Sequence, residues 1–344
     1  MKKIVSAVLV MFGVTTLTFV LFQGLGDPSQ VAAGQNADQK TKENILHELE
    51  LDLPIRKRFL HMVNDVSPLS FHSRAAIKDK HLHGFFWGNE MCLAIKWPYL
   101  GKSYQGRKPV LELLSNAFRG TLILATAAML MAVFFGIVIG CWAALKKGSW
   151  IDRIALQFSV IGISVPSFFA AVCIAYFFGI YLHEYTGLHF MGNYQVYDAQ
   201  TGEARWSLQN LVLPMITLGL RPMAIIVQMM RSSMIEVMSM DYIRTARAKG
   251  ASAFLIATRH ALPNAINPVI TAITGWFAEL LAGSFFIEYI FGWQGMGRLT
   301  INALEKLDYP VVAGAVIVSA FIFLLINLLT DFLYRYFDPR IALK

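Results

Sequence analysis

The stretch GTLILATAAMLMAVFFGIVIGCWAAL, residues 120–145, contains 26 consecutive residues without a charged side chain. A helix of about 20 apolar residues, rising about 1.5 Å per residue, already crosses the hydrocarbon core of a bilayer. The whole chain has the same character, with 56% hydrophobic and 15% charged residues and a mean hydropathy of +0.51. This leaves too little charged surface for a soluble globule, so the sequence predicts a multi-pass membrane protein.

Six segments are long and apolar enough to be membrane spans. Residues 206–230 and 261–287 are each interrupted by one charge, Arg221 in the first and Glu279 in the second. The four uncharged segments are residues 4–26, 120–145, 154–182 and 309–330. We therefore predict an all-α membrane fold with six transmembrane helices.

Lysine and arginine are concentrated in the loops that lie on one side of these spans. The loop 146–153 holds three of them and the loop 231–260 holds five, whereas residues 183–205 hold one and residues 288–308 hold two. Because positive loops stay inside, the N and C termini are predicted to be cytoplasmic. The long segment after the first span is also basic, but long loops are translocated largely regardless of charge.

The chain is predicted to contain an N-terminal helix, an extracytoplasmic segment, a five-helix core and a cytoplasmic tail. The first apolar run is either a cleaved signal peptide or, as its length favours, a retained helix. In the extracytoplasmic segment Pro54 separates two short amphipathic helices, whereas residues 71–106 show no clear period and stay unassigned. The four parts are residues 1–26, 27–118, 119–335 and 336–344.

Several kinds of chemistry lack the residues they need. His72, His81 and His83 have no Cys, Asp or Glu at metal-ligand spacing, so no metal site is expected. LGKS, residues 100–103, resembles the end of a phosphate-binding loop, but Lys96 stands where that motif needs glycine. Three scattered cysteines argue against a disulfide framework, and no catalytic motif is found. The chain is therefore predicted to have no catalytic residues and no bound cofactor, so any ATP would be used by another subunit.

The loop 231–263 is the most informative polar region. In DYIRTARAKGAS, residues 241–252, Gly250 suits the left-handed end of one helix, and Ser252 is a plausible N-cap for a second helix that Pro263 disturbs. A solvated positive-inside loop would explain the charges alone. Small residues favour a surface shaped for a partner instead, and these are Thr245, Ala246, Ala248, Gly250 and Ala251.

This loop, extended to DYIRTARAKGASAFLIATRHALPNAINPVI, resembles the EAA loop of binding-protein-dependent ABC-transporter permeases of the dipeptide, oligopeptide and nickel group. The resemblance covers nearly the whole chain, and LGDP after the first helix is typical of the first of the two permeases. The other matching segments are PVLELLSNAFRGTLILA, ISVPSFFAA, LPMITLGL, MRSSMIEV, FIEYIFGWQGMGRLTINALEKLDYPVVAG and FDPRI.

The resemblance implies one permease subunit of a type I importer in the cytoplasmic (inner) membrane. Its partners would be a homologous second permease, two ABC ATPase subunits and an extracytoplasmic substrate-binding protein, with no nucleic acid. The implied cargo is a short peptide, with nickel, glutathione or peptide-like antibiotics as alternatives. A channel or ion-coupled transporter would instead show an inverted repeat. The residues implied in ATPase coupling are Asp241, Tyr242, Arg244, Thr245, Ala246, Arg247, Ala248, Lys249 and Gly250.

Three features depart from the family pattern or extend it. Residues 70–97 have the character of an added outer segment. Arg221 and Glu279 stand where relatives generally carry small or apolar residues, and they are expected either to pair within the bundle or to face the translocation cavity separately. A third expectation is an outer gate, with a plain loop as its alternative, and its residues are Glu288, Gly292, Gly295 and Gly297.

Overall fold

The structure is a computed structural model that describes residues 2–23, 52–198, 201–282 and 284–337. The chain separates into two compact units. The first of the two predicted amphipathic helices, ahead of Pro54, lies outside the described residues. The first unit consists of Met1–Phe118 and Leu299–Phe321, and the second of Arg119–Arg298 and Ile322–Lys344.

In the first unit, an amphipathic helix packs along the N-terminal apolar helix. Helix α1 is Lys2–Gln23, and helix α2, Ile55–Val66, is the second of the two predicted amphipathic helices. The Phe59 ring of α2 lies 6.1 Å from the Phe12 ring and 5.3 Å from the Phe19 ring of α1, measured between centroids. Edge-on aromatic contacts of this kind fix α2 against the second half of α1.

A three-stranded antiparallel sheet follows α2, so the all-α prediction is wrong in this segment. Its strands are β1 (Leu69–Ser73), β2 (Gly84–Trp87) and β3 (Met91–Lys96), in the order β1-β3-β2, with helix α3 (Arg74–Asp79) after β1. Side chains alternate strictly between the two faces along β1 and β3. Each strand has only four to six residues, too few for a period to stand out in a sequence scan.

A second, smaller departure from the all-α prediction is a β-hairpin in the second unit. Strand β4, Gln195–Tyr197, pairs antiparallel with β5, Ala204–Trp206. The remaining elements are helical: α4 Val110–Leu145, α5 Trp150–Ser164, α6 Ser167–Tyr176, α7 His183–Thr186, α8 Gln209–Met238, α9 Asp241–Ala248, α10 Ala253–Leu255, α11 Leu262–Ala265, α12 Asn267–Ala282, α13 Phe285–Ile290, α14 Met296–Glu305 and α15 Tyr309–Phe337, with π-helical turns at Phe177–Tyr181 and Ile256–Ala261.

Among the described residues, four helices are long and apolar enough to cross a membrane, and two bent pairs raise the number to six if each pair crosses once. Residues 154–182, expected as one helix, form such a pair, because α5 and the segment Ser167–Tyr181 meet at 108°. Pro166 has no N–H to continue the helix, and Val165 before it is extended, with φ −75° and ψ 126°. The other pair, Ala253–Ala265 and Asn267–Ala282, is bent by 55°.

Helix α8 packs closely against α4 through small residues. A Cβ added at Gly136 of α4 would lie 2.6 Å from the Ile226 side chain, and one at Gly140 would lie 2.7 Å from Met230 Cβ. Gly162 of α5 approaches Ala224 of α8 in the same way. Because these glycines have no side chain, the side chains of α8 pack directly on the neighbouring backbone, and dispersion contacts hold α8 in place, as is common between membrane helices.

Candidate functional site

The loop after α8 begins with helix α9, whose Ile243 side chain is fully buried. Ile243 belongs to the same core cluster as Met230, Met234 and Val237 of α8 and Ile256 of the next helical segment. An isolated helix of eight residues is marginal in water, so tertiary packing must hold α9 in its position. The loop is therefore docked on its own transmembrane helix.

Gly250 ends this helical segment in the left-handed conformation, with φ +82°. The Gly250 N–H donates to the Arg247 carbonyl at 3.0 Å and the Ala251 N–H to the Ala246 carbonyl at 3.2 Å, which is the bond pattern of a Schellman C-cap. A Cβ at position 250 would meet nothing within 4 Å. The backbone conformation, and not lack of space, is therefore what requires glycine here.

The second half of the loop starts at Ser252, whose hydroxyl accepts a hydrogen bond from the Leu255 N–H at 3.3 Å, as an N-cap was predicted to do. The expected single helix is in fact α10, a π-helical turn and α11 in succession. The Asn264 side-chain amide donates to the Tyr242 hydroxyl at 3.1 Å and to the His260 carbonyl at 3.0 Å. The first of these bonds ties α11 back to α9.

The small residues of the loop divide into two sets. Ala246 and Ala251 are half-buried and pack against the core cluster around Ile243, so their size serves internal packing. The Asp241–Arg244 pair, 3.2 Å apart, is fully at the surface and adds little stability. The exposed residues of the loop's first half are Asp241, Tyr242, Arg244, Thr245, Arg247, Ala248, Lys249 and Gly250.

An ion pair holds the base of this loop, and the sequence interpretation did not find it. Arg231 of α8 donates through Nε and Nη2 to the buried carboxylate of Asp152, with 2.8 Å between Nη2 and Oδ2. Asp152 also accepts the Gly148 N–H at 2.9 Å. From the sequence, Arg231 counted only as one more positive charge. The position of Asp152 three residues after Ser149 indicates the start of a helix but not the distant partner of the carboxylate.

Arg221 and Glu279 lie on the wall of one cavity of about 310 Å³. As described residues they form no ion pair with each other within 4.0 Å. The Arg221 guanidinium lies over the Trp276 ring instead, 5.3 Å from its centroid. The rest of the wall is mainly apolar, with α5, α6, α8, α12 and α13 contributing side chains. Of the two arrangements expected from the sequence, this geometry favours separate exposure to a cavity.

Glu288 of α13 is fully buried, and its carboxylate lies at the first turn of α14. Its carboxylate accepts hydrogen bonds from the Ser284 and Thr121 hydroxyls at 2.7 and 2.8 Å, and from the backbone N–H groups of Gly297 and Arg298 at 2.7 and 3.2 Å. Burial raises the pKa of the Glu288 carboxyl, and these four hydrogen bonds act in the opposite direction. The carboxylate therefore caps α14 and ties it to α4.

The three glycines near Glu288 have different roles. A Cβ at Gly295 or Gly297 would collide with the Glu288 carboxylate or the Phe285 backbone, so both glycines are needed for the close approach. Gly292 has φ +64°, and its carbonyl accepts a hydrogen bond from Arg298 Nη1. The structure thus brings Glu288, Gly295 and Gly297 into direct contact and places Gly292 in the turn that follows α13.

Within the described part of the chain, no group of three or more His, Cys, Asp or Glu side chains could hold a metal ion. Residues 136–343 match the family described as binding-protein-dependent transport system inner membrane component, and residues 1–125 match the N-terminal region of such membrane components. Together the two matches span almost the whole chain.

Curated relatives align over nearly their full length. The probable peptide ABC transporter permease protein y4tP of Sinorhizobium fredii is 35% identical over 99% of this chain and 98% of its own. The probable D,D-dipeptide transport system permease protein DdpB of Escherichia coli is 34% identical, covering 97% and 94%. The glutathione transport system permease protein GsiC of Escherichia coli is 31% identical, covering 100% and 98%.

Among solved structures, a chain of the inward-facing MetNI methionine ABC transporter aligns with a TM-score of 0.52 and 17% identity, over 66% of this chain and 97% of that chain. At this identity the likeness concerns the fold alone. The chain therefore belongs to the binding-protein-dependent transport system inner membrane component family and has the fold of a type I ABC importer permease.

Proposed function

We propose that this chain is one of two homologous permease subunits of an ATP-driven importer that carries short peptides across the cytoplasmic (inner) membrane. Relatives named as peptide, D,D-dipeptide and glutathione permeases support a peptide cargo. Two ABC ATPase subunits would supply the energy, and an extracytoplasmic binding protein would deliver the cargo. The chain itself would bind no cofactor. Glutathione, itself a short peptide, is the second candidate cargo.

The proposed topology has six crossings with both termini in the cytoplasm. Four long apolar helices and the two bent pairs would account for the six segments, with residues 253–260 of the second pair on the cytoplasmic side of its bend. The loops 146–153 and 231–260, which are rich in lysine and arginine, would then face the cytoplasm. This orientation puts α9 on the side where ATP is available.

The observation that carries the proposal is the docking of α9. Its charged face is exposed, while Ile243 anchors the opposite face to α8. A partner that binds the exposed face and moves it would therefore displace α8 together with α9. The Asp152–Arg231 pair at the base of the loop would keep α5 in the same rigid body. Closure of the ATPases would thus reach the transmembrane helices as a rigid-body displacement, which alternates access between the two sides.

The proposed outer gate is built on Glu288. Its four hydrogen bonds join α4, α13 and α14, so the three elements would move as one piece. Gly295 and Gly297 permit the contact, and Gly292 turns the chain just before it. Separation of this unit from the companion permease would open the outer side.

The test compares two glycines that share one backbone conformation. Gly250 has φ +82° and Gly187 has φ +65°, and a Cβ at either position would meet nothing within 4 Å. Valine at either position therefore brings the same backbone strain, roughly 1–3 kcal/mol. Only Gly250 belongs to the proposed docking loop. The importer would be reconstituted with its companion permease, ATPases and binding protein, and peptide uptake and ATP hydrolysis would be measured together.

Gly250→Val is expected to insert and assemble normally but to hydrolyse more ATP for each peptide imported. Gly187→Val should keep the wild-type ratio of ATP to peptide. Normal uptake by Gly250→Val, or equal uncoupling by both variants, would show that the loop is not the coupling element. Peptide uptake by the reconstituted chain without any ATPase subunit would instead reject the importer in favour of a channel or an ion-coupled transporter.

A further inference from the structure

We propose that Arg221 and Glu279 form a binding site for a zwitterionic peptide within the membrane, with Arg221 facing the peptide carboxylate and Glu279 its amino group. This inference rests on the proposed import function and names the groups that recognise the cargo. The two residues come from α8 and α12, and they are the only charged side chains on the wall of their cavity among the described residues.

Arg221 lies deep within its helix. It is 12 residues after Gln209 and 17 before Met238, the two ends of α8, which is about 18 Å and 26 Å along the axis. Both Arg221 and Glu279 are exposed in the single chain, and neither neutralises the other. A charge directed at lipid at this depth is strongly disfavoured, so each side chain must face water or a polar partner, and the described residues give neither of them an ion-pair partner.

The arrangement of the two charges selects among cargoes. Their charges sum to zero but they are held apart, so a ligand with separated positive and negative groups satisfies both. A divalent cation would be attracted by Glu279 but repelled by Arg221. A simple anion would be attracted by Arg221 but repelled by Glu279. The planar Arg221 guanidinium, which lies over the Trp276 ring, presents paired donors that suit a carboxylate. The apolar remainder of a cavity of about 310 Å³ suits peptide side chains.

The experiment varies the ends of the peptide together with the residues. One peptide is prepared with free termini, with its C-terminus amidated, and with its N-terminus acetylated. Binding-protein affinity is measured for each form, and uptake into proteoliposomes is compared at saturation. The variants are Arg221→Gln and Glu279→Gln. The matched control is Arg153→Gln, which removes an exposed charge outside the cavity.

Arg221→Gln is expected to reduce uptake of the free peptide by at least about tenfold while changing uptake of the amidated form little. Glu279→Gln should likewise reduce uptake of the free peptide while changing uptake of the acetylated form little. Arg153→Gln should leave the uptake of all three forms unchanged. An equal reduction for all three forms, as expected if these charges pair with the companion permease, would overturn the proposal, as would unchanged uptake. ATPase stimulation by loaded binding protein should persist in both variants; its absence from the wild type would count against the importer itself.

We infer a second interaction surface from the sheet of the first unit, whose apolar face we place in the membrane interface. The strand register puts Leu69 opposite Ile95, Phe71 opposite Leu93, and Trp87 opposite Leu93. The other face of the sheet, which carries Ser70, His72, Cys92, Ala94 and Lys96, is the buried one. The exposed side chains that share the apolar face are Leu69, Phe71, Phe85, Trp87, Met91, Leu93 and Ile95.

Continuity with α1 argues for lipid as the occupant. Helix α1 is a candidate span with most of its surface unburied within the chain, and α2 lies against its second half through Phe59. Asn64 of α2 in turn exchanges two hydrogen bonds with the Phe71 backbone of β1, at 2.7 and 3.0 Å. The sheet is therefore attached at the depth where α1 leaves the hydrocarbon.

Composition supports the same occupant. Tryptophan and other aromatic side chains favour the boundary between hydrocarbon and headgroups, and Trp87 stacks on Phe85 at 6.3 Å on this face. Residues 52–108 contain ten lysines and arginines but only four aspartates and glutamates. A basic segment that carries an apolar face is attracted to anionic headgroups.

Spin labels distinguish lipid from water and from protein. Cys92, Cys141 and Cys173 are replaced by alanine, and single labels are placed at Phe71, Leu93 or, as a control, the exposed Lys78 of α3. The full chain is studied in nanodiscs with phosphatidylcholine and phosphatidylglycerol. Labels at 71 and 93 should collide several times more often with oxygen than with a water-soluble nickel complex, and the label at 78 the reverse. Predominant nickel access at 71 and 93 would overturn the proposal. Immobile labels shielded from both reagents would overturn it in favour of a protein partner.

Discussion

Replacing Ile243 by alanine tests whether α9 transmits force because it is rigidly docked. Ile243 is fully buried in a cluster that joins α9 to α8. Truncating a buried isoleucine to alanine costs about 2–5 kcal/mol, since transfer free energy is lost and a cavity is left. An eight-residue helix has almost no stability of its own to offset that loss.

A loss of at least about 2 kcal/mol raises the population of undocked α9 by about 30-fold or more. Amide hydrogen exchange in the assembled importer would detect this as faster exchange across residues 241–248. Peptide uptake for each ATP hydrolysed should fall in the same variant. Ile243→Val keeps most of the side chain and costs about 0.5–1.5 kcal/mol, so it should behave close to wild type.

Two results would refute this reasoning. Unchanged exchange in Ile243→Ala would mean that other contacts, such as the Tyr242–Asn264 hydrogen bond, hold α9 without Ile243. Faster exchange with a normal ratio of uptake to ATP hydrolysis would mean that α9 need not be rigid to couple the two activities.

Three further substitutions test other contacts. Asp152→Asn leaves Arg231 without its charged partner and should lower the free energy of unfolding by about 3 kcal/mol, measured by thermal unfolding in detergent. Asp241→Asn, in the exposed pair, should lower it by less than about 1 kcal/mol. Gly140→Ala should destabilise by about 1–3 kcal/mol, because its Cβ would lie 2.7 Å from Met230, whereas Gly275→Ala has open space and should not. Burial lowers the pKa of Lys96 from 10.5 to about 8, so between these two pH values the unfolded chain binds more protons than the folded chain. The free energy of unfolding of the first unit should therefore rise by roughly 3 kcal/mol from pH 8 to pH 10.5. Lys96→Met should abolish this rise.

The features that the sequence predicted well depend on neighbouring residues. Gly250 and Ser252 are local signals, since a positive φ and an N-cap hydrogen bond involve residues only a few positions apart. The long apolar helices follow from composition in the same way. Pro166 was also a local signal, and giving it more weight would have predicted the break between α5 and α6.

The features that were missed join segments far apart in the chain. Asp152 and Arg231 are 79 residues apart, and Thr121 and Glu288 are 167 apart. A single sequence carries no sign of which distant charges or hydroxyls will meet. The sheet was missed for a different reason: each strand has only four to six residues, so the alternation along it is brief. Its large apolar side chains lie on the exposed face, the reverse of the usual arrangement in a half-buried strand.

Helix α8 links the two parts of the proposed mechanism. Arg221 of the cavity and Met234, which packs with Ile243, are 13 residues apart on this one helix, about 20 Å along its axis. Arg231 lies between them and binds α5 through Asp152. A displacement of α9 therefore needs no chain of separate contacts to reach the cavity, because one helix carries both sites. Since Gly136 and Gly140 pack α4 directly on α8, the same displacement would also move α4, whose Thr121 binds Glu288. Loosening the α4–α8 contact at Gly140 should then weaken communication between the cytoplasmic loop and the Glu288 region while leaving each of them folded.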